Sequence, residues 1–316
     1  MAINNMKISD SVRNESSVRG GRISLLQTDI VWADPAANQK IAEEMMLKAE
    51  KSDIYVLPEM FSTGFATQPQ GIAEDLSHPL HRRGATQGEE ATILENSSSG
   101  IPTCSTLEWM KRMANKLDAA VCGSVAVCEE KSSAILDSPP MEGLGDVGKS
   151  FFNRFYFVKP GGEVAVYNKK HLFTYGGEHL RFTAGTEPLR VEWRGLIYNI
   201  CICYDLRFPI WSRNTKENPY DVQIYVASWP DSRRAPWDAL LRARAIENQC
   251  FVAAVNRVGS DPSCHYNGGS CLIDAYGNTV AACEDNKAEA ITVELDIERL
   301  RKFREKFPVL MDGETP

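Results

Sequence analysis

Asn199-Ile200-Cys201-Ile202-Cys203-Tyr204-Asp205-Leu206-Arg207-Phe208-Pro209 is the stretch that decides the fold of this chain. With the residues just before it, it makes a nearly continuous apolar run over 196–203, the pattern of a strand buried on both faces. The chain then turns polar at Tyr204-Asp205, and a short helix is expected over 207–214. A buried strand that stops at a chemically capable side chain is how α/β proteins present their working residues. Cys203 stands at that stop, whereas Cys201, two residues earlier and on the same strand face, reads as core. A thiol near a helix N-terminus has its pKa lowered and becomes a better nucleophile, although a lone cysteine is more often a small core residue.

The alternation continues in both directions. Upstream, 22–27 reads as a strand and 35–51 as a helix carrying Ile41, Met45 and Ala49. A buried strand follows over 54–57 and ends at Pro58-Glu59. Residues 105–117 place Leu107, Met110, Met113, Ala114 and Leu117 on one helical face, before a strand over 119–128. Then 151–158 and 163–167 form a hairpin around Pro160-Gly161-Gly162. Downstream come a strand over 222–228, a helix over 235–249 with Leu240, Leu241, Ala245 and Ile246, and a strand over 251–258. Segments 269–274, 278–283 and 288–295 read as a meander turning at Tyr276-Gly277, ahead of a terminal helix over 296–306. The pattern is that of one α/β domain over 21–316 behind a polar arm over 1–20. Two polar segments, 67–100 and 129–148, read as inserts.

The 316 residues, 43% of them hydrophobic, are enough for a large core. A formal net charge of -7 without a long basic run argues against a nucleic-acid surface. No apolar run is long enough to span a bilayer, and the first twenty residues lack the apolar stretch of a secretory signal, so a cytoplasmic protein without a membrane partner is expected. Nine cysteines without CxxC pairs read as reduced thiols.

Residues 143–150, Gly-Leu-Gly-Asp-Val-Gly-Lys-Ser, match the phosphate-loop pattern GxxxxGK[ST]. Such a loop needs a buried strand before it and a helix after it, so that backbone N–H groups and the helix dipole face the phosphates. Here Pro139-Pro140 precedes it and a hairpin strand follows, so the octet reads as a surface loop. The motifs call for neither cofactor nor metal.

Two further strand ends carry chemistry. Glu59 sits in Leu57-Pro58-Glu59-Met60-Phe61, where loss of water would make a carboxylate a stronger base; its alternative is a structural acid in a salt bridge. Lys169 lies in Tyr167-Asn168-Lys169-Lys170-His171-Leu172-Phe173, where a lone lysine would ordinarily be a solvated charge. His171 suggests a Cys-His pair, but no histidine is tied to Cys203 by sequence.

Together these motifs resemble the Glu-Lys-Cys triad of the carbon-nitrogen hydrolases of the nitrilase superfamily. The chain order is the same, with 110 residues from Glu59 to Lys169 and 34 from Lys169 to Cys203. Gly176-Gly177-Glu178-His179 is similar to the family's second glutamate segment, which implies that Glu178 orients Lys169. The resemblance runs from about Gly21 to the terminal helix. It implies a four-layer αββα sandwich, paired through its outer helices as a homodimer. Cys203 to Pro209, Tyr167 to Phe173, Ser228-Trp229-Pro230, Arg242 to Gln249 and Asn256 to Asp261 are similar to the omega-amidase branch, which hydrolyses the terminal amide of 2-oxo acids such as 2-oxoglutaramate and 2-oxosuccinamate. The two polar inserts depart from its shorter members.

The resemblance assigns Glu59 as base, Cys203 as nucleophile through a thioester, and Lys169 with the backbone N–H of Tyr204 as oxyanion partners. Asp205 and Arg207 read as a structural ion pair, with Arg207 a lesser candidate for a substrate carboxylate. Trp229 and Phe65 are candidate pocket walls. Other specificities within the family stay open, namely N-carbamoyl amino acids, nitriles or amide transfer. So does a non-enzymatic binding protein with nucleotide at 143–150.

Overall fold

Apolar strands alternating with helices that carry one apolar stripe pack with sheets inside and helices outside. The structure, a computed structural model, describes residues 21–76, 105–130 and 148–313. In the first half, β1 (Arg22–Gln27) leads to α1 (Pro35–Lys48), β2 (Ile54–Val56) and β3 (Glu74–Asp75). Helix α2 (Thr106–Leu117), β4 (Ala120–Glu130) and the hairpin β5 (Lys149–Val158) and β6 (Val164–Asn168) follow. The second half runs through β7 (Leu189–Trp193), β8 (Leu196–Ile202), β9 (Val222–Ala227), α3 (Arg234–Glu247) and β10 (Phe251–Asn256). A small hairpin, β11 (Val258–Ser260) and β12 (His265–Asn267), precedes β13 (Cys271–Ile273), β14 (Thr279–Ala282), β15 (Glu289–Glu294) and α4 (Ile297–Lys306).

One sheet has the order β15-β1-β2-β4-β5-β6, with β3 beside β4, and the other β14-β13-β10-β9-β8-β7. Their facing sides share a core in which Ile23, Leu25, Val56, Phe155 and Phe157 meet Tyr198, Ile200, Ile202, Ile224 and Val226. On the outer face of the first sheet, α1 and α2 pack Met46, Trp109, Met110 and Met113 on Tyr55, Leu57 and Val121. On the second, α3 and α4 supply Trp237, Leu241, Ala245 and Leu300. The result is the four-layer αββα sandwich. Helix α2 starts where expected because the Ser105 hydroxyl accepts from Glu108 N at 3.2 Å, and it ends at Asp118 in a left-handed conformation (φ 46°).

Several expectations are corrected. The segment expected as the third meander strand leaves β14 and pairs antiparallel with β1 in the other sheet, where Ser24 and Thr292 hydroxyls meet at 2.8 Å. It covers the edge that β1 would otherwise expose. The helix expected over 207–214 is instead two 3-10 turns, Cys203–Arg207 and Pro209–Ser212, broken where Pro209 bars Phe208 from helical backbone. Helix α1 buries Asn38, Gln39, Ala42 and Met46, while Ile41, Met45 and Ala49 are only half-buried; Ile246 on α3 is exposed. Strand β7 carried no signal that stood out, and β10 stops at Asn256, with Val258 starting the small hairpin. The arm 1–20 and most of both inserts lie outside the described residues, as do 143–147 of the glycine-rich octet. Lys149 and Ser150 open β5 opposite Glu130 and Glu129, as strand rather than helix.

Gly185 passes against the residue before Lys169. Its N–H donates to Lys169 O at 2.9 Å, and a Cβ there would stand 2.1 Å from Asn168 O. Gly185→Ala should therefore lower stability by about 1–3 kcal/mol, read as a drop in the urea midpoint, and reduce activity through the displaced lysine. An unchanged midpoint would show that this contact is not tight.

Candidate active site

Three strand ends, two from the first sheet and one from the second, converge between the layers. Glu59 follows β2 in a turn held by Ser124, whose hydroxyl accepts from Met60 N at 2.9 Å and whose carbonyl accepts from Phe61 N at 3.2 Å. Lys169 follows β6, and its N–H donates to Asn153 O on β5 at 2.9 Å. Cys203 follows β8 with φ 44°, a left-handed backbone that costs a non-glycine residue about 1–3 kcal/mol. Asp205 holds that turn. Its carboxylate accepts from Ile202 N at 2.9 Å, the Tyr167 hydroxyl at 2.7 Å and His171 N at 2.9 Å, and contacts His171 Nδ1 at 2.8 Å. His171, stacked on Phe208, is thus part of the turn's scaffold and no partner of Cys203.

Lys169 Nζ donates to Glu59 Oε1 at 2.8 Å and to Glu178 Oε2 and Oε1 at 2.9 and 3.2 Å, and all three side chains are fully buried. Asn153 Nδ2 bridges the same two carboxylates at 2.8 and 3.1 Å. Ser228 N donates to Glu59 Oε2 at 2.9 Å, and Phe173 N to Glu178 Oε2 at 2.6 Å. Burial works against the charge of Lys169, but Glu178, then Glu59 and Cys203, outweigh it, so its pKa stands above that of an ordinary lysine. Burial pushes the Glu178 carboxyl up, against the pull of Lys169.

The Cys203 thiol is held well above the ordinary thiol range, first by burial and then by Glu59, with Lys169 pulling the other way. This corrects the expectation of an acidified thiol: a five-residue 3-10 turn offers too little dipole to offset burial beside a carboxylate. With its pKa raised in this way the thiol needs a base, and Glu59 is the carboxylate whose charge bears on it most.

The other expected residues divide. Phe65 is half-buried, its ring centroid 5.2 Å from Lys169 Nζ. Trp229 is buried against Trp237. The Asp205–Arg207 ion pair does not form: Asp205 is spent on the turn, and the exposed Arg207 guanidinium lies 5.1 Å from the Trp229 ring centroid. The Tyr204 ring packs edge-on against Phe173 and Phe208. Asn153 and the Ser228 N–H escaped the sequence reading; the one available signal was a lone amide in the apolar run Phe151-Phe152-Asn153.

The four-layer αββα sandwich with a buried acid, lysine and cysteine gathered at its strand ends is accompanied by a family match: the chain belongs to the carbon-nitrogen hydrolase family, whose model matches residues 22–305. It is 38% identical to the omega-amidase YafV of Escherichia coli (strain K12), over 93% of this chain and 97% of that protein. It is 35% identical to the 2-oxoglutaramate amidase of Bacillus subtilis (strain 168), over 92% and 96%. The crystal structure of XC1258 from Xanthomonas campestris, a CN-hydrolase superfamily protein with an arsenic adduct in its active site, superposes with a TM-score of 0.76 at 36% identity, covering 93% of this chain and 97% of that one.

Because the Glu59 charge raises the Cys203 pKa and the Lys169 charge lowers it, Glu59→Gln should move the thiol titration to lower pH. Thiolate ultraviolet absorbance, corrected with Cys203→Ala, reads the shift. A titration moved upward would contradict the assigned electrostatics. Asn153→Ala leaves carboxylate oxygens short of a donor and should cost about 1–3 kcal/mol in denaturant unfolding.

Proposed function

We propose that the protein is an omega-amidase, hydrolysing the terminal amide of 2-oxo dicarboxylic acid monoamides such as 2-oxoglutaramate and 2-oxosuccinamate to the 2-oxo acid and ammonia. The observation that carries this reading is the buried Glu59–Lys169–Glu178 cluster beside a protonated thiol at a left-handed strand end. The similarity to an omega-amidase and a 2-oxoglutaramate amidase over nearly the whole chain supports the substrate class.

Glu59 takes the Cys203 proton as Sγ attacks the amide carbon. The C–S bond forms and the carbonyl electrons move to oxygen. An ammonium has three donors; Glu59 Oε1 and Glu178 Oε2 engage two on Lys169, and the third turns from its longer 3.2 Å contact with Glu178 Oε1 to meet the oxyanion together with the Tyr204 N–H. One such donor is commonly worth about 3 kcal/mol. Glu59 returns its proton to the nitrogen, the C–N bond breaks, and ammonia leaves a thioester on Cys203. Glu59 then deprotonates a water that attacks the thioester, and collapse frees the acid and restores the thiol. Glu178 keeps Lys169 charged and in place. Phe65 and Trp229 wall the pocket, and Arg207, free of Asp205, takes a substrate carboxylate.

We take residues 21–316 as one catalytic domain, supported by the family match and the shared core between sheets. We also place it in the cytoplasm as a homodimer. Among the described residues no helix is long and apolar enough to cross a membrane, and Ile210, Ile246 and Phe307 are exposed on outer elements available for pairing.

The test is ammonia release from 2-oxoglutaramate, 2-oxosuccinamate, glutamine and an N-carbamoyl amino acid. Turnover confined to the oxo-acid amides, lost in Cys203→Ala and reduced at least about a hundredfold in Glu59→Gln, is expected. Release from the carbamoyl substrate alone would move the specificity elsewhere in the family. Normal turnover by Glu59→Gln would refute the mechanism.

A further inference from the structure

Arg233 and Arg234 are consecutive, but among the described residues only Arg234 has an acid to pair with. Arg234 is held by Asp238 and Asp285, each at 2.8 Å. Arg233, half-buried, has no carboxylate partner among the described residues, and its guanidinium carbon lies 5.3 Å and 5.8 Å from the ring centroids of Phe173 and Tyr175. Asp231, two residues before Arg233, faces His265 at 3.0 Å instead. Stacking on aromatic rings orients a guanidinium without neutralising it or using its in-plane donors.

The contacts around Arg233 close a ring that begins and ends on the turn opened by Cys203. Tyr204 packs on Phe173 with ring centroids 5.2 Å apart, and Phe173 carries the Arg233 guanidinium. Arg233 O accepts from Trp229 Nε1 at 2.7 Å, and the Trp229 ring carries the Arg207 guanidinium, three residues after Tyr204. In a chain of net charge -7, two guanidiniums that lack a carboxylate partner among the described residues are thus tied, through aromatic rings and one backbone carbonyl, to the turn that Cys203 opens.

We propose that Arg233 is a specificity-determining residue that, together with Arg207, holds the 2-oxo acid end of the substrate. The assignment rests on the omega-amidase reading and deepens it. A 2-oxo acid presents two carboxylate oxygens and the neighbouring keto oxygen, more acceptors than the two-pronged edge of a single guanidinium matches. A second guanidinium supplies the missing donors, and it favours an amide whose far end is anionic over one whose far end is neutral.

The test uses the full chain with Arg233→Gln and Arg233→Lys, measuring ammonia release from 2-oxoglutaramate and, in the Cys203→Ala background, calorimetric binding of the product 2-oxoglutarate. Arg233→Gln should raise KM about tenfold while lowering kcat far less, and weaken 2-oxoglutarate by a similar factor, with Arg233→Lys between it and the parent. Equal KM and equal product binding would overturn the proposal. So would a fall in kcat at constant KM, which would make Arg233 only a prop for Phe173 and Trp229. Should the parent release ammonia from no oxo-acid amide and bind no 2-oxoglutarate, the omega-amidase reading itself falls and the proposal with it. That result differs from intact turnover indifferent to Arg233.

Discussion

The ammonium of Lys169, shut away from water between Glu59 and Glu178, is the interaction on which the rest of the site depends. A buried charge without a partner would cost several kcal/mol, and removing one member of such a cluster typically costs about 3–5 kcal/mol. The cluster holds two carboxylates and one ammonium, so neutral donors must take the remaining oxygen lone pairs. Asn153, Ser228 N and Phe173 N do so, from three different segments. The demand for hydrogen bonds around one buried cation thereby joins β5, the end of β9 and the turn after Lys169 to the end of β2.

The same arrangement explains why the nucleophile can be a neutral thiol at rest. Burial and Glu59 both favour the protonated sulfur, and Lys169 alone opposes them. Charge on sulfur becomes affordable only as the proton moves to Glu59, which removes the opposing carboxylate charge while the ammonium stays. The left-handed backbone at Cys203 is held by Asp205, itself tied to Tyr167 and His171 on the segment that carries Lys169. The turns bearing nucleophile and lysine therefore brace each other.

Much of this was legible in the chain. Apolar runs of strand length ending at Glu59 and at Cys203 mark strand ends, because a strand buried on both faces has no polar alternation to hide them, while the half-exposed β6 before Lys169 is marked by its hairpin turn. Helix α2 was readable to a residue because its stripe and its Ser105 cap agree. Helix α1 was legible from its start at Pro35 but not in its buried face, since it buries Asn38 and Gln39, whose amides serve distant groups such as Ser62 O and the Thr106 hydroxyl. Asn153 looked like any strand amide until its two carboxylate partners were in place.

Sequence by itself determined the α/β class, the strand ends and the residue types that chemistry needs, since these follow from periodicity and side-chain identity within short windows. Tertiary structure decided which of those residues meet. It took the last strand across to β1, committed Asp205 to a turn and so kept it from Arg207, and raised the thiol that local sequence would have acidified. Each of these depends on burial and on charges brought together from segments far apart in the chain, which no local window contains.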